Sequence, residues 1–129
     1  MEIEEPFTLG SLTQFLAEDR NVYLIVQASG RLAGALHAIV YVHPAGQRYM
    51  YVDEVDTEEA FRRRGVATAM LRMACEIARG LGARAAWLGA DTENDAAHAL
   101  YRSLKAQEIE PGIIYTYEID QAQGSAANP

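Results

Sequence analysis

Three observations predict an α/β (α+β) fold, a mixed central sheet flanked by helices. Hydrophobic periodicity runs in the order helix, three strands, helix, strand, helix, strand. The 129 residues suffice for one core. Half are hydrophobic and 22% charged, which excludes disorder, collagen and low-complexity arrays. One domain is expected over 1–120, with the polar, small residues 121–129 as a disordered tail.

Phe7, Leu9, Leu12, Phe15 and Leu16 recur at spacings of two to four, predicting a short amphipathic helix that stops near Asp19. Val22 to Val26 is β-branched and aromatic, Ser29-Gly30 supplies a turn, and Leu32 to Val42 returns as a second extended run, together an antiparallel hairpin. After the loop at 43–47, Tyr49 to Asp56 is strand-like again, so a three-stranded meander is expected. From Gly65 to Arg79 the residues Val66, Met70, Met73 and Ile77 form one helical stripe, with Ala67, Ala74 and Ala78 beside it. Gly80 and Gly82 close that helix, and Arg84 to Ala90 is a short strand carrying Trp87. A strand–helix–strand unit calls for parallel pairing. A further helix runs from about Asn94 to Leu104, with Asp91, Thr92 or Asn94 as its cap; Pro111-Gly112 interrupts the chain before a last strand, Ile113 to Ile119.

The net charge of −7 repels nucleic acid and anionic membrane and favours a cationic partner such as a polyamine or amino sugar. The one cysteine, Cys75, has no internal disulfide partner, which suits a reducing cytoplasm, and it is expected as a small buried hydrophobe. No run approaches the ~18 apolar residues of a membrane span, and the acidic start is unlike a secretion signal.

The most specific signal is Arg62-Arg63-Arg64-Gly65-Val66-Ala67, between a predicted strand and a predicted helix. Unpaired N–H groups and the dipole at a helix start accept phosphate, and glycine allows close approach. A solvated basic run balancing Asp53, Glu54, Asp56, Glu58 and Glu59 explains position and charge equally well.

Arg62-x-x-Gly65-x-Ala67 resembles the acyl-CoA signature of the GNAT superfamily of N-acetyltransferases. Asp53 to Thr57 looks like the strand before that signature, and Asn94-x-x-Ala97-x-x-Leu100-Tyr101 resembles a second CoA-binding element. Gly34-Ala35-Leu36, Tyr49-x-Tyr51, Ala90-Asp91 and Asp95-x-Ala97 extend the similarity towards the small aminoglycoside 3-N-acetyltransferases, which confer antibiotic resistance, over roughly 12–120. The sequence departs from the family in three places. The family usually opens with a strand and a first helix that this chain starts too late to contain; Leu104-Lys105-Ala106 lacks the usual glycine; and Thr57 stands where valine is common.

The resemblance implies acetyl-CoA as co-substrate, no metal, and an amine as small-molecule acceptor. Backbone groups of Val55, Asp56 and Thr57 would pair with pantetheine. N–H groups of Arg62, Arg63, Arg64, Gly65, Val66, Ala67 and Thr68 would hold pyrophosphate. Asn94 and Ala97 would contact the cofactor, and the Tyr101 hydroxyl would protonate the leaving thiolate. The attacking amine must lose a proton, for which Glu54, then Asp53, are the candidate bases, with Asp56, Asp91 and Asp95 facing a cationic acceptor. Regular alternation puts Asp53 on the face opposite Glu54 and Asp56 unless a bulge intervenes. His37, His43 and His98 lack metal-site spacing and are expected to be structural or exposed. A truncated, non-catalytic acyl-CoA-binding module is the competing reading, and a homodimer is expected to cover the sheet edge beside residues 22–28.

Overall fold

The computed structural model describes residues 8–119, so Phe7 and the tail expected at 121–129 lie outside the described residues. Helix α1 (Leu9–Ala17) is followed by strands β1 (Asn21–Ala28), β2 (Arg31–Val42) and β3 (Arg48–Thr57), then helix α2 (Val66–Gly80), strand β4 (Ala83–Leu88) and helix α3 (Asp95–Ser103). The sheet has the order β1-β2-β3-β4, antiparallel through the meander and parallel between β3 and β4.

Local chemistry accounts for the boundaries. Thr8 and Ser11 cap α1 reciprocally: Thr8 Oγ1 accepts from the Ser11 N–H at 3.0 Å, and Ser11 Oγ accepts from the Thr8 N–H at 2.9 Å. Ser29 and Gly30 both have positive φ, 52° and 72°, the turn whose twist matches that of a tight hairpin. Lys105, φ 61°, takes the left-handed position just after α3 where glycine was missing from the sequence.

The core lies between the sheet and α2. Leu36, Ala38, Val40, Met50 and Val52 point from the strands at Met70, Leu71, Ala74 and Ala78. Of the expected stripe, Val66, Met70 and Ile77 pack against the core and Met73 does not. Met73 is 55% exposed, and Cys75 is exposed rather than buried, because the positions that meet the sheet centre on 70, 71, 74 and 78, with 66 and 77 at the margins. Phe15 of α1 packs edge-on against Tyr23 and His37 at ring distances of 5.7 and 5.1 Å.

The last strand expected at Ile113 to Ile119 is not formed: residues 106–119 carry no helix or strand, and Ile113, Ile114 and Tyr117 are at least 80% exposed. Alternating branched and aromatic residues give strand propensity, but a strand exists only once its backbone pairs, and this segment has no place in the four-stranded order.

Candidate active site

Strands β3 and β4 pair only from Arg48 opposite Ala83 to Val52 opposite Leu88. Beyond that point β3 continues to Thr57 while β4 has ended, so the sheet parts between 53–57 and 89–91. A cavity of about 700 Å³ occupies this gap, walled by Asp53, Glu54, Val55 and Asp56 on one side and by Gly89, Ala90 and Asp91 on the other.

A bulge decides which carboxylates enter it. His37 of β2 stands opposite Glu54 and Ala38 opposite Val52, leaving Asp53 as an extra residue in β3. Alternation resets there. Leu36 and its partner Val55 turn to the core, and Asp53, with Oδ2 3.3 Å from His37 Nδ1, joins Glu54 and Asp56 in lining the cavity. Tyr23, His37 and Glu54 form a row across three strands in register. Burial first, then the charges of Glu54 and Asp56, raise the Tyr23 phenol above its ordinary pKa.

The other wall comes from α3. Asn94 caps it, Oδ1 accepting from the Ala97 N–H at 3.1 Å, and Asn94, Ala97 and Tyr101 all line the cavity. Tyr101 also packs against the core, and burial raises its phenol. Asp95 is exposed in the first turn of α3 and does not line the cavity, because the cap turns it outward.

Thr57, Arg62 to Arg64, Gly65, Val66, Ala67 and Thr68 lie outside the cavity wall, in the connection that leaves β3 and opens α2. Arg62 Nε donates to the Thr57 carbonyl at 3.4 Å, and Arg64 stacks over Phe61 at 5.6 Å. The N–H groups of Val66, Ala67 and Thr68 precede the first intrahelical bond, Ala69 N–H to Gly65 O at 2.9 Å. Gly65 has φ 80°, with open space where a Cβ would stand. Those N–H groups and that space leave the start of α2 open to an anionic group.

The three histidines occupy structural or exposed positions. His43 Nδ1 accepts from the Ala45 N–H at 3.1 Å, and His98 Nε2 lies 2.9 Å from the Asp91 carbonyl. His37 packs against Phe15 and Tyr23 and in addition lines the cavity. Strand register placed it there, and only the bulge joined it to Asp53. Among the described residues no group of three or more His, Cys, Asp or Glu side chains is arranged to hold a metal ion.

The profile of the acetyltransferase (GNAT) family matches residues 2–105. The N-alpha-acetyltransferase RimI of Mycobacterium tuberculosis is 29% identical over 109 residues, 82% of this chain; the chain spans 65% of that curated relative's length. An aminoglycoside acetyltransferase from an uncultured soil metagenomic sample, solved with sisomicin, superposes with a TM-score of 0.83 at 16% identity, covering 93% of this chain and 80% of that one. An aminoglycoside N-acetyltransferase in complex with CoA gives a TM-score of 0.73 at 22% identity, covering 86% of each chain. The structural likenesses establish a shared fold.

Proposed function

The chain belongs to the acetyltransferase (GNAT) family, and from that premise we propose that it transfers acetyl from acetyl-CoA to a primary amine of a cationic small molecule. The specific version is the 3-amino group of an aminoglycoside. The parted sheet carries the reading: β3 offers an unpaired edge beside a cavity with three carboxylates at one wall and Tyr101 at the other.

Bound acetyl-CoA supplies an activated acyl thioester. Val55, Asp56 and Thr57 hold its pantetheine through their backbone, with Asn94 and Ala97 on the opposite side. The backbone from Arg62 to Thr68 holds the pyrophosphate, aided by the dipole of α2. Tyr101, kept neutral by its raised pKa, donates its proton to the departing thiolate. The wall of Asp53, Glu54 and Asp56 draws in the ammonium group, and Asp91 faces the acceptor from across the cavity. Asp95, outside the wall, has no part in this scheme.

The test is thiol release from acetyl-CoA across aminoglycosides, polyamines, amino acids and N-terminal peptides. Release driven by a polycationic small molecule supports the reading. Release driven only by peptides would favour the acceptor class named for the RimI relative. Acetyl-CoA affinity without acceptor-dependent release would favour a binding module.

A homodimer and a cytoplasmic setting complete the proposal. β1 and β4 are both sheet edges, with Ile25 and Trp87 more than half exposed, and the exposed Cys75 thiol persists best in a reducing compartment. No helix of the described residues is long and apolar enough to cross a membrane.

A further inference from the structure

We propose that His37, held by Asp53, is the group that accepts the proton of the attacking amine, and that Glu54 and Asp56 serve the acceptor's positive charge instead. The proposal rests on the acetyl-transfer reading above and divides the labour of its acidic wall.

His37 is fixed from three directions. Its ring meets Phe15 of α1 at 5.1 Å and Tyr23 of β1 at 6.4 Å, and its Nδ1 lies 3.3 Å from Asp53 Oδ2 of the bulge. A neutral imidazole carries one N–H and one lone pair. Asp53 Oδ2 lies beside Nδ1, which leaves Nε2 as the ring nitrogen away from that carboxylate, in a side chain that lines the cavity and is 29% exposed. The titratable groups around it are Tyr23 on β1, Asp53, Glu54 and Asp56 on β3, and Asp91 and Tyr101 across the cavity; α1 brings only Ser11, Leu12 and Phe15 to that wall.

A neutral imidazole nitrogen at the cavity wall can take up the amine's proton and pass it on to solvent. As the amine nitrogen bonds to the thioester carbonyl carbon, His37 Nε2 takes the nitrogen's proton. The C–S bond breaks with its electron pair on sulfur, and Tyr101 protonates the thiolate. Solvent removes the proton from His37 and restores that of Tyr101, giving one amide and one thiol.

The experiment measures thiol release against pH for the wild-type chain, His37→Gln and His37→Ala, with acetyl-CoA affinity by calorimetry. His37→Gln should bind acetyl-CoA as the wild type does, lose on the order of 100-fold or more in kcat, and change the dependence of rate on pH. Added imidazole should restore turnover to His37→Ala. Asp53→Asn should lower kcat at constant acceptor KM. Wild-type turnover and pH profile in His37→Gln, or no rescue of a His37→Ala protein that still binds acetyl-CoA, overturns the proposal while leaving acetyl transfer intact. A wild-type chain that releases no thiol with any acceptor overturns both.

Discussion

A Cβ on Gly34 of β2 would stand 2.9 Å from Val66 Cγ1 and 3.0 Å from the Asp56 carbonyl. Bare backbone at residue 34 is thus what lets the first turn of α2 settle against the end of β3, beside the parted strands. Gly34→Ala must push Val66 and Met70 away, at a cost of about 1–3 kcal/mol. Chemical denaturation should show that loss, and calorimetry a weaker acetyl-CoA affinity, since the α2 start moves with Val66.

Gly65→Val should abolish acetyl-CoA binding. The new side chain projects into the open space at the helix start, and φ 80° suits a β-branched residue poorly, at about 1–2 kcal/mol of strain. A thermal melt separates the two effects: the protein should remain folded at 25 °C while calorimetric heats vanish. Unchanged affinity would remove the phosphate cradle from the proposed site.

Tyr101→Phe keeps the ring against the core and deletes the hydroxyl. Turnover should fall roughly tenfold to a thousandfold with acetyl-CoA affinity nearly constant. Because burial raises this phenol above its ordinary value of 10.0, the deficit should be the same from pH 7 to about pH 9. Full turnover would make Tyr101 a packing residue only.

Glu54→Gln removes charge from the row that faces Tyr23 and His37. A charge-assisted contact to an ammonium is worth about 1.5–3 kcal/mol, so acceptor KM should rise roughly tenfold or more with a smaller change in kcat. Steady-state kinetics with the identified acceptor measures the split; a large kcat loss at constant KM would return the proton to Glu54.

Alkaline stability follows from Tyr23 and Tyr101. Both phenols are raised in the folded chain, chiefly by burial, so folding holds their protons more tightly than the unfolded chain does. Their contribution is complete below about pH 10 and is lost as pH rises through the folded values. Urea midpoints should fall between about pH 10 and 12, and less steeply in a Tyr23→Phe, Tyr101→Phe double variant.

The meander, the parallel β3–α2–β4 unit and a polar cap before α3, among Asp91, Thr92 and Asn94, were legible in the sequence because each is written in local periodicity or a nearby polar side chain. The Arg62 to Ala67 signature was legible for the same reason, as a short run at a helix start. The tertiary structure decided what depends on register and pairing. One extra residue at Asp53 turned three carboxylates to one wall and brought His37 to them, although alternation alone separates Asp53 from Glu54. The helical phase of α2 exposed Met73 and Cys75, since a stripe of spacing three or four has more than one face that can meet a sheet. Ile113 to Ile119 has strand composition but no ladder, because propensity belongs to a residue and pairing belongs to two segments brought together.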